Sequence, residues 1–184
     1  MPIDRDPSHI HPVMREKSAA LDKALAAAGI PLALYEGGRS PQRQAALYSK
    51  GRGQDGFGVG APLRHVTNAR AWESKHQYGV AEDRVFFVDG AWSWAEPEKG
   101  MWARYQELAH GLGLVTLSFE KPHVELDVSL GSLRAGHYPV PGDDSWSDWL
   151  ESMIEAWGPG ERSVGGLIHP GAPPLMIERP SLVA

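Results

Sequence analysis

Two short segments carry side chains that can bind one metal ion, and they limit the fold more than any other feature of the chain. The first contains His76 and Asp83, and the second contains Glu120 and His123. Gly79 supplies a turn between His76 and Asp83, which would otherwise lie on opposite faces of an uninterrupted strand. Two imidazoles and one carboxylate form a three-ligand set for zinc that leaves the fourth tetrahedral position to water, as in catalytic sites. Glu120 is then a candidate to take the proton from that water.

These segments resemble a known family. The pattern Ser-x-His-x-x-Gly-x-Ala-x-Asp, followed by Glu-x-x-His, is similar to the zinc D,D- and L,D-peptidases of the M15 type, which cut the stem peptides of bacterial peptidoglycan. The fixed positions are occupied by Ser74, His76, Gly79, Ala81 and Asp83, and then by Glu120 and His123. The string Pro-His-Val-Glu-Leu around His123 is similar to the shorter, endolysin-like L-alanyl-D-glutamate peptidases. The resemblance covers roughly residues 13 to 138. It implies an α+β fold of the M15/Hedgehog-like kind, with a central, mostly antiparallel sheet and packed helices.

The resemblance also implies substrate-binding residues. In the family an arginine in a Gly-Tyr-Arg-Ser segment faces the substrate, and Arg39 corresponds to it, with Gly38 where tyrosine is usual. A guanidinium suits either a substrate carboxylate or the oxyanion that forms as water adds to a peptide carbonyl. Gln44 matches the family pattern too, and Ser74 is expected to hydrogen-bond locally and support the site.

The second metal-binding segment leaves one assignment open. Glu125 is an alternative to Glu120 as the base, since it shares a strand face with His123. It could equally orient the imidazole of His123, or be exposed.

The residues Val115 to Ser118 replace a Trp-Gly-Gly segment that many family members have before this motif. That departure affects the expected pocket wall, and therefore the substrate, more than the metal site.

The resemblance implies a zinc-dependent peptidase that uses one zinc ion and hydrolyses a stem-peptide bond involving D-amino acids, first of all the bond between L-Ala and D-Glu. Two alternatives stay open at this point. One is a D-alanyl-D-alanine carboxypeptidase or dipeptidase, and the other is a non-catalytic zinc-binding module of the Hedgehog type. The presence of Glu120 argues against the non-catalytic module.

Periodicity and turn residues predict the remaining elements of the first 138 residues. A helix is expected from Val13 to Ala28, a short strand over residues 31–35, and a helix capped by Ser40 with Pro41 at its first position. Asp89-Gly90 predicts a two-residue hairpin turn, with a helix over residues 99–110 and a strand over 114–119 after it. The segment Gly51 to Gly56 fits a dinucleotide-binding pattern, but no strand precedes it and no helix follows it, so a long loop is expected instead.

The composition changes at about residue 139, where we predict the end of the catalytic domain (1–138) and the start of a C-terminal extension (139–184). Apolar residues of the extension recur at helical spacing, namely Trp146, Trp149, Leu150, Met153, Ile154 and Trp157. This amphipathic helix is expected either to dock onto its own domain or to bind a protein partner. We expect the tail after this helix to be extended or irregular.

Composition excludes several classes of protein. The chain has no cysteine, which removes thiol nucleophiles and cysteine-ligated zinc. Its net charge of −5 does not predict a positively charged surface for binding nucleic acid or an anionic membrane. No apolar run is long enough for a transmembrane segment, and the first residues lack the apolar core of a signal peptide. We therefore expect a soluble protein that reaches the cell wall, in the periplasm or outside the cell, by phage lysis, a secretion system or another route.

Overall fold

The computed structural model of the 184-residue chain describes residues 2–50, 52 and 66–175. The glycine-rich segment predicted as a long loop lies mostly outside the described residues. Five α-helices are present in the described part: α1 (Pro12–Ala27), α2 (Pro41–Ser49), α3 (Met101–Gly111), α4 (Leu130–Arg134) and α5 (Asp144–Trp157). The strands of the described part are β1 (Leu32–Glu36), β2 (Ala81–Val88), β3 (Ala91–Ser93), β4 (Val115–Leu117), β5 (Glu120–Glu125), β6 (Arg162–Val164) and β7 (Leu167–His169).

Strand β2 lies at the centre of the main sheet, whose order is β1-β2-β5-β4 and whose pairs are all antiparallel. One edge of β2 pairs with β1, while the other edge is shared, with β5 at its beginning and β3 at its end. This register makes Asp83 and His123 direct cross-strand partners. The predicted α+β class with a mostly antiparallel sheet is therefore confirmed.

Local signals in the sequence account for most element boundaries. The Asp89-Gly90 turn has positive φ at both positions (51° and 79°), which is the geometry of the primed two-residue hairpins. The side chain of Ser40 accepts a hydrogen bond from the backbone N–H of Arg43 and caps α2, as predicted. Strand β5 runs through Pro122, beyond the part that pairs with β2, and its pairing with β4 is irregular, which accommodates the missing N–H of proline.

Helices α1 and α3 share one hydrophobic core with the sheet. Met14, Leu21 and Leu25 of α1 and Trp102 and Tyr105 of α3 belong to the same buried cluster as residues of β2 and β5. Among the described residues, no helix combines the length and the apolar character needed to cross a bilayer.

The amphipathic helix of the extension is α5, and it packs onto the rest of the chain. Its buried side chains join the main hydrophobic cluster, namely Trp146, Leu150, Met153, Ile154 and Trp157. The indole N–H of Trp146 donates to the backbone oxygen of Tyr78 (2.9 Å). Because this face is covered by the chain itself, partner binding through it has no support in the structure.

The tail after α5 contains a regular element that the sequence reading missed. Strands β6 and β7 form a hairpin around Gly165 and Gly166, which both have positive φ. His169 at its end is buried, and its Nδ1 accepts a hydrogen bond from the backbone N–H of Ala71 (3.1 Å). The Gly165-Gly166 pair was the signal for this hairpin, because two glycines between short extended segments favour a two-residue hairpin turn.

Candidate metal centre

Three buried side chains converge between β2, β5 and the turn before β2. The Nε2 atom of His76 lies 3.2 Å from Nδ1 of His123 and 3.3 Å from Oδ1 of Asp83. The remaining side of this triangle, from His123 Nδ1 to Asp83 Oδ1, measures 3.2 Å. These residues form a group of potential metal ligands in the described part of the chain.

Local backbone geometry brings His76 to the two strands. His76 lies in a short 3-10 helix (Lys75–Tyr78) that ends at Gly79, whose φ of 67° is left-handed. That conformation is accessible to glycine at little cost and turns the chain directly into β2. The loop after β1 holds the other side of the helix, because the backbone N–H of Arg39 donates to the carbonyl oxygen of His76 (3.1 Å).

The triangle of donor atoms fits a tetrahedral metal ion. Zinc bonds to nitrogen and carboxylate oxygen are about 2.0–2.1 Å long, so neighbouring ligand atoms in a tetrahedron lie about 3.3 Å apart. The separations of 3.2, 3.2 and 3.3 Å agree with that edge length. Three nearly equal edges describe one face of a tetrahedron and leave its fourth corner free of these three residues. The residues therefore fit a divalent cation of this coordination type.

Each imidazole is oriented by a hydrogen bond from its other ring nitrogen. Nδ1–H of His76 donates to the carbonyl oxygen of Gly37 (2.8 Å), which leaves Nε2 unprotonated and directed at the centre. Nε2–H of His123 donates to Oε2 of Glu125 (2.9 Å), which leaves Nδ1 for the centre. The other oxygen of Glu125 accepts from Nζ of Lys75 (2.8 Å). Such partners fix the tautomer of a metal-binding histidine.

The charges of this cluster favour the protonated form of His123. Burial alone would lower the pKa of His123, but its hydrogen bonds to Asp83 and Glu125 outweigh burial and raise the pKa to about 9. Burial would likewise raise the pKa of Asp83, yet the neighbouring imidazoles and the Arg39 guanidinium hold it well below its usual range. A cation at the centre would replace that proton as the positive charge facing Asp83.

Arg39 contacts the metal centre through Asp83. Its Nη2 donates to Oδ2 of Asp83 (3.1 Å) and to Oε2 of Glu36 (2.7 Å), and its Nη1 donates to Oε1 of Gln44 (3.1 Å). The side chain is buried, with Arg39 only 8% exposed. In this geometry Arg39 fixes the oxygen of Asp83 that does not face the centre.

Gln44 differs from the sequence-based expectation of substrate contact. It is fully buried behind Arg39, and its Nε2 donates to the backbone oxygen of Ala69 (2.7 Å). Both ends of the amide are thus used within the protein, and no part of Gln44 reaches the surface. Ser74 is half-buried at the start of the 3-10 helix, where its backbone N–H donates to the side chain of Gln77 (3.3 Å), in line with a local supporting contact.

Glu120 lines an open cleft together with Asp83. It is exposed at the beginning of β5, and its charge acts on both His123 and Arg39. Glu125, the alternative candidate for the base, is instead ion-paired with Lys75 and hydrogen-bonded to His123. Among the two carboxylates, Glu120 is the one that borders the cleft.

The chain is similar in sequence to a protein of named activity. The chain is 35% identical over 120 residues to the peptidoglycan L-alanyl-D-glutamate endopeptidase CwlK of Bacillus subtilis (strain 168). The match spans 61% of this chain and 66% of that relative, just under two thirds of its length. No family model matches the sequence. The paired motifs, the antiparallel α+β sheet and this similarity together support the resemblance of the chain to the M15-type peptidases.

Proposed function

We propose that this protein is a zinc-dependent peptidase that hydrolyses a peptide bond in the stem of peptidoglycan, namely the bond between L-alanine and D-glutamate. The observation that carries the proposal is the triangle of His76, Asp83 and His123, with Glu120 on the cleft that Asp83 also borders. The activity named for the Bacillus relative supplies the substrate class. A site with three protein ligands and an adjoining cleft suits catalysis, whereas structural zinc sites use four protein ligands.

The donor set supports zinc as the cation. Imidazole nitrogen is a preferred ligand for zinc, while magnesium and calcium prefer all-oxygen sites. The one carboxylate, on Asp83, is already fixed by Arg39, and both imidazoles have defined tautomers. When bound, a zinc ion acts as a Lewis acid on water and on the substrate carbonyl.

The residues of the chain then have separate tasks. The carboxylate of Glu120 removes a proton from the attacking water and returns it to the nitrogen of the leaving amine. His76, Asp83 and His123 would hold the cation, and Glu125 orients the ring of His123 by accepting its Nε2–H. Arg39 holds Asp83 in the orientation that directs Oδ1 at the centre. Direct attack by water needs no covalent intermediate.

Two measurements on the purified protein test the proposal. Elemental analysis should find one zinc ion per chain, and digestion of cell-wall sacculi should release fragments whose masses correspond to cleavage after L-alanine. Fragments that have lost only terminal D-alanine would contradict the proposed bond and indicate a D-alanyl-D-alanine carboxypeptidase.

A substitution at Glu120 tests the mechanism. Glu120→Gln should lower kcat by about a hundredfold or more, because general-base catalysis contributes on this scale, while the zinc content stays the same. Glu155→Gln, on the exposed side of α5, is the matched control and should behave as the unaltered protein. Full activity of Glu120→Gln would assign the proton transfer to another group.

A further inference from the structure

The cleft beside the metal centre combines apolar walls with three charged side chains. Its volume is about 360 Å³, and it is lined by Asp83, Trp94, Trp102, Phe119, Glu120, Lys121 and Pro122. Two of the wall residues are unusually exposed for aromatic side chains, since Trp94 is 59% exposed and Phe119 is 84% exposed. Apolar side chains that remain in water at the edge of a candidate active site are expected to become covered when substrate binds.

Lys121 is the cation that lines this cleft. It is exposed, and within the described residues no carboxylate lies at ion-pair distance from it. The other cations around the metal centre differ in this respect, because Arg39 and Lys75 are both ion-paired with carboxylates of the protein. The ammonium group of Lys121 is therefore available to a charged group of a ligand.

We propose that Lys121 determines specificity by binding a free carboxylate on the residue that follows the scissile bond. This inference rests on the proposed function and names the substrate group that the same site recognises. A glutamate residue has two carboxyl groups, and the continuation of a peptide uses only one of them. The other stays as a carboxylate within a few bonds of the nitrogen that becomes the leaving amine.

The charges of the cleft explain why such a carboxylate needs Lys121. Glu120 lines the cleft and is exposed there, whereas the charge of Asp83 is compensated by Arg39, so a substrate carboxylate that enters without a counterion meets the negative charge of Glu120. When a bound substrate displaces water from the aromatic walls, both this repulsion and the attraction to an ammonium group become stronger. A single lysine among apolar walls therefore favours a substrate that carries an anionic group at this position.

The test uses two matched peptides and three substitutions. One peptide contains an L-alanyl-D-glutamate bond with the free carboxyl group, and the other carries the same carboxyl group as an amide. The unaltered protein should cleave the acid with a kcat/KM about tenfold to a hundredfold above that of the amide, the range for one charge-assisted hydrogen bond. Lys121→Met should lose this preference by slowing cleavage of the acid alone, and Lys121→Arg should retain part of it. Lys23→Met, on the exposed face of α1, is the control and should keep the preference.

The outcomes separate this inference from the function on which it rests. Equal cleavage of acid and amide by the unaltered protein, or an equal loss on both peptides in Lys121→Met, would overturn the role of Lys121 and leave the peptidase activity standing. No cleavage of either peptide by the zinc-loaded protein would overturn both. Zinc content measured for every variant excludes loss of metal as the cause of a change.

Discussion

Replacing Arg39 by methionine distinguishes two roles for this residue. The sequence resemblance assigns the guanidinium to the substrate, as a partner for a carboxylate or a developing oxyanion. In the structure its Nη2 instead donates to Glu36 (2.7 Å) and to Asp83 (3.1 Å). If these contacts define its role, Arg39 positions a metal ligand, and its loss should weaken metal binding as well as turnover.

The expected magnitude follows from the partners that remain after the substitution. Removing one member of a buried ion pair costs about 3–5 kcal/mol, because the other charge is left unpaired. Glu36 keeps its contacts with Arg43, so only Oδ2 of Asp83 loses its charged partner. We therefore expect a loss of about 3 kcal/mol in the free energy of unfolding, at the lower end of that range. Removing a residue that orients a ligand typically lowers metal affinity by about 10–100-fold.

Urea unfolding measures the free energy of unfolding, and competition with a zinc chelator measures the metal affinity. The value of kcat at saturating zinc completes the comparison. Arg104→Met is a suitable control, since its ion pair with Glu107 is exposed and should contribute at most about 1 kcal/mol. Unchanged stability and zinc affinity, together with a large fall in kcat, would refute the positioning role and restore the oxyanion role.

Three further predictions concern the surroundings of the centre. Gly79→Ala should destabilise the protein by about 2–5 kcal/mol, for two reasons. The backbone at residue 79 is left-handed, and an added Cβ would lie 2.5 Å from the carbonyl oxygen of His9. Gly90→Ala is the control in urea unfolding, because Gly90 also has a positive φ but an added Cβ there would meet no neighbouring atom. Burial lowers the pKa of His11 from 6.5 to about 4, so the unfolded chain takes up a proton at higher pH than the folded chain. His11 should therefore lower the free energy of unfolding by about 3 kcal/mol between pH 7 and pH 4. His11→Asn should remove this contribution, as measured by urea unfolding at both pH values with a metal chelator present. Glu125→Ala should lower zinc affinity by about 10–100-fold in chelator competition, whereas Glu125→Gln, which keeps an acceptor, should lower it less.

The approach of His76 to Asp83 was predictable because their spacing has a direct structural meaning. Gly79 breaks the extended chain between His76 and Asp83, and the structure has the left-handed turn there that glycine favours. The hairpin at Asp89-Gly90 was equally local, since its turn type depends on those two residues alone. The proximity of His123, in contrast, depended on the family resemblance, because no local pattern fixes which strand pairs with β2.

The contacts of Arg39 and Gln44 could not be read from the sequence. They arise where β1 approaches β2 with an irregular register that sets Glu36 opposite Asp83. A buried carboxylate at the end of β1 attracts the guanidinium inward, and Gln44 then fills the space behind it. Periodicity predicts a helix that contains Gln44, but it does not predict which polar group the amide will meet.

The extension after residue 138 contributes to the geometry of the metal centre, although the change in composition there suggested a boundary. The carbonyl oxygens of Tyr78 and Gly79 accept hydrogen bonds from Trp146 of α5 and from the backbone N–H of His11, respectively. Both contacts hold the turn that joins the His76 helix to β2. A catalytic unit that ended before α5 would lose one of these two supports and much of the apolar face beneath it. We therefore infer that the functional unit extends through α5, and that proline and glycine residues after residue 138 mark a connection within one core.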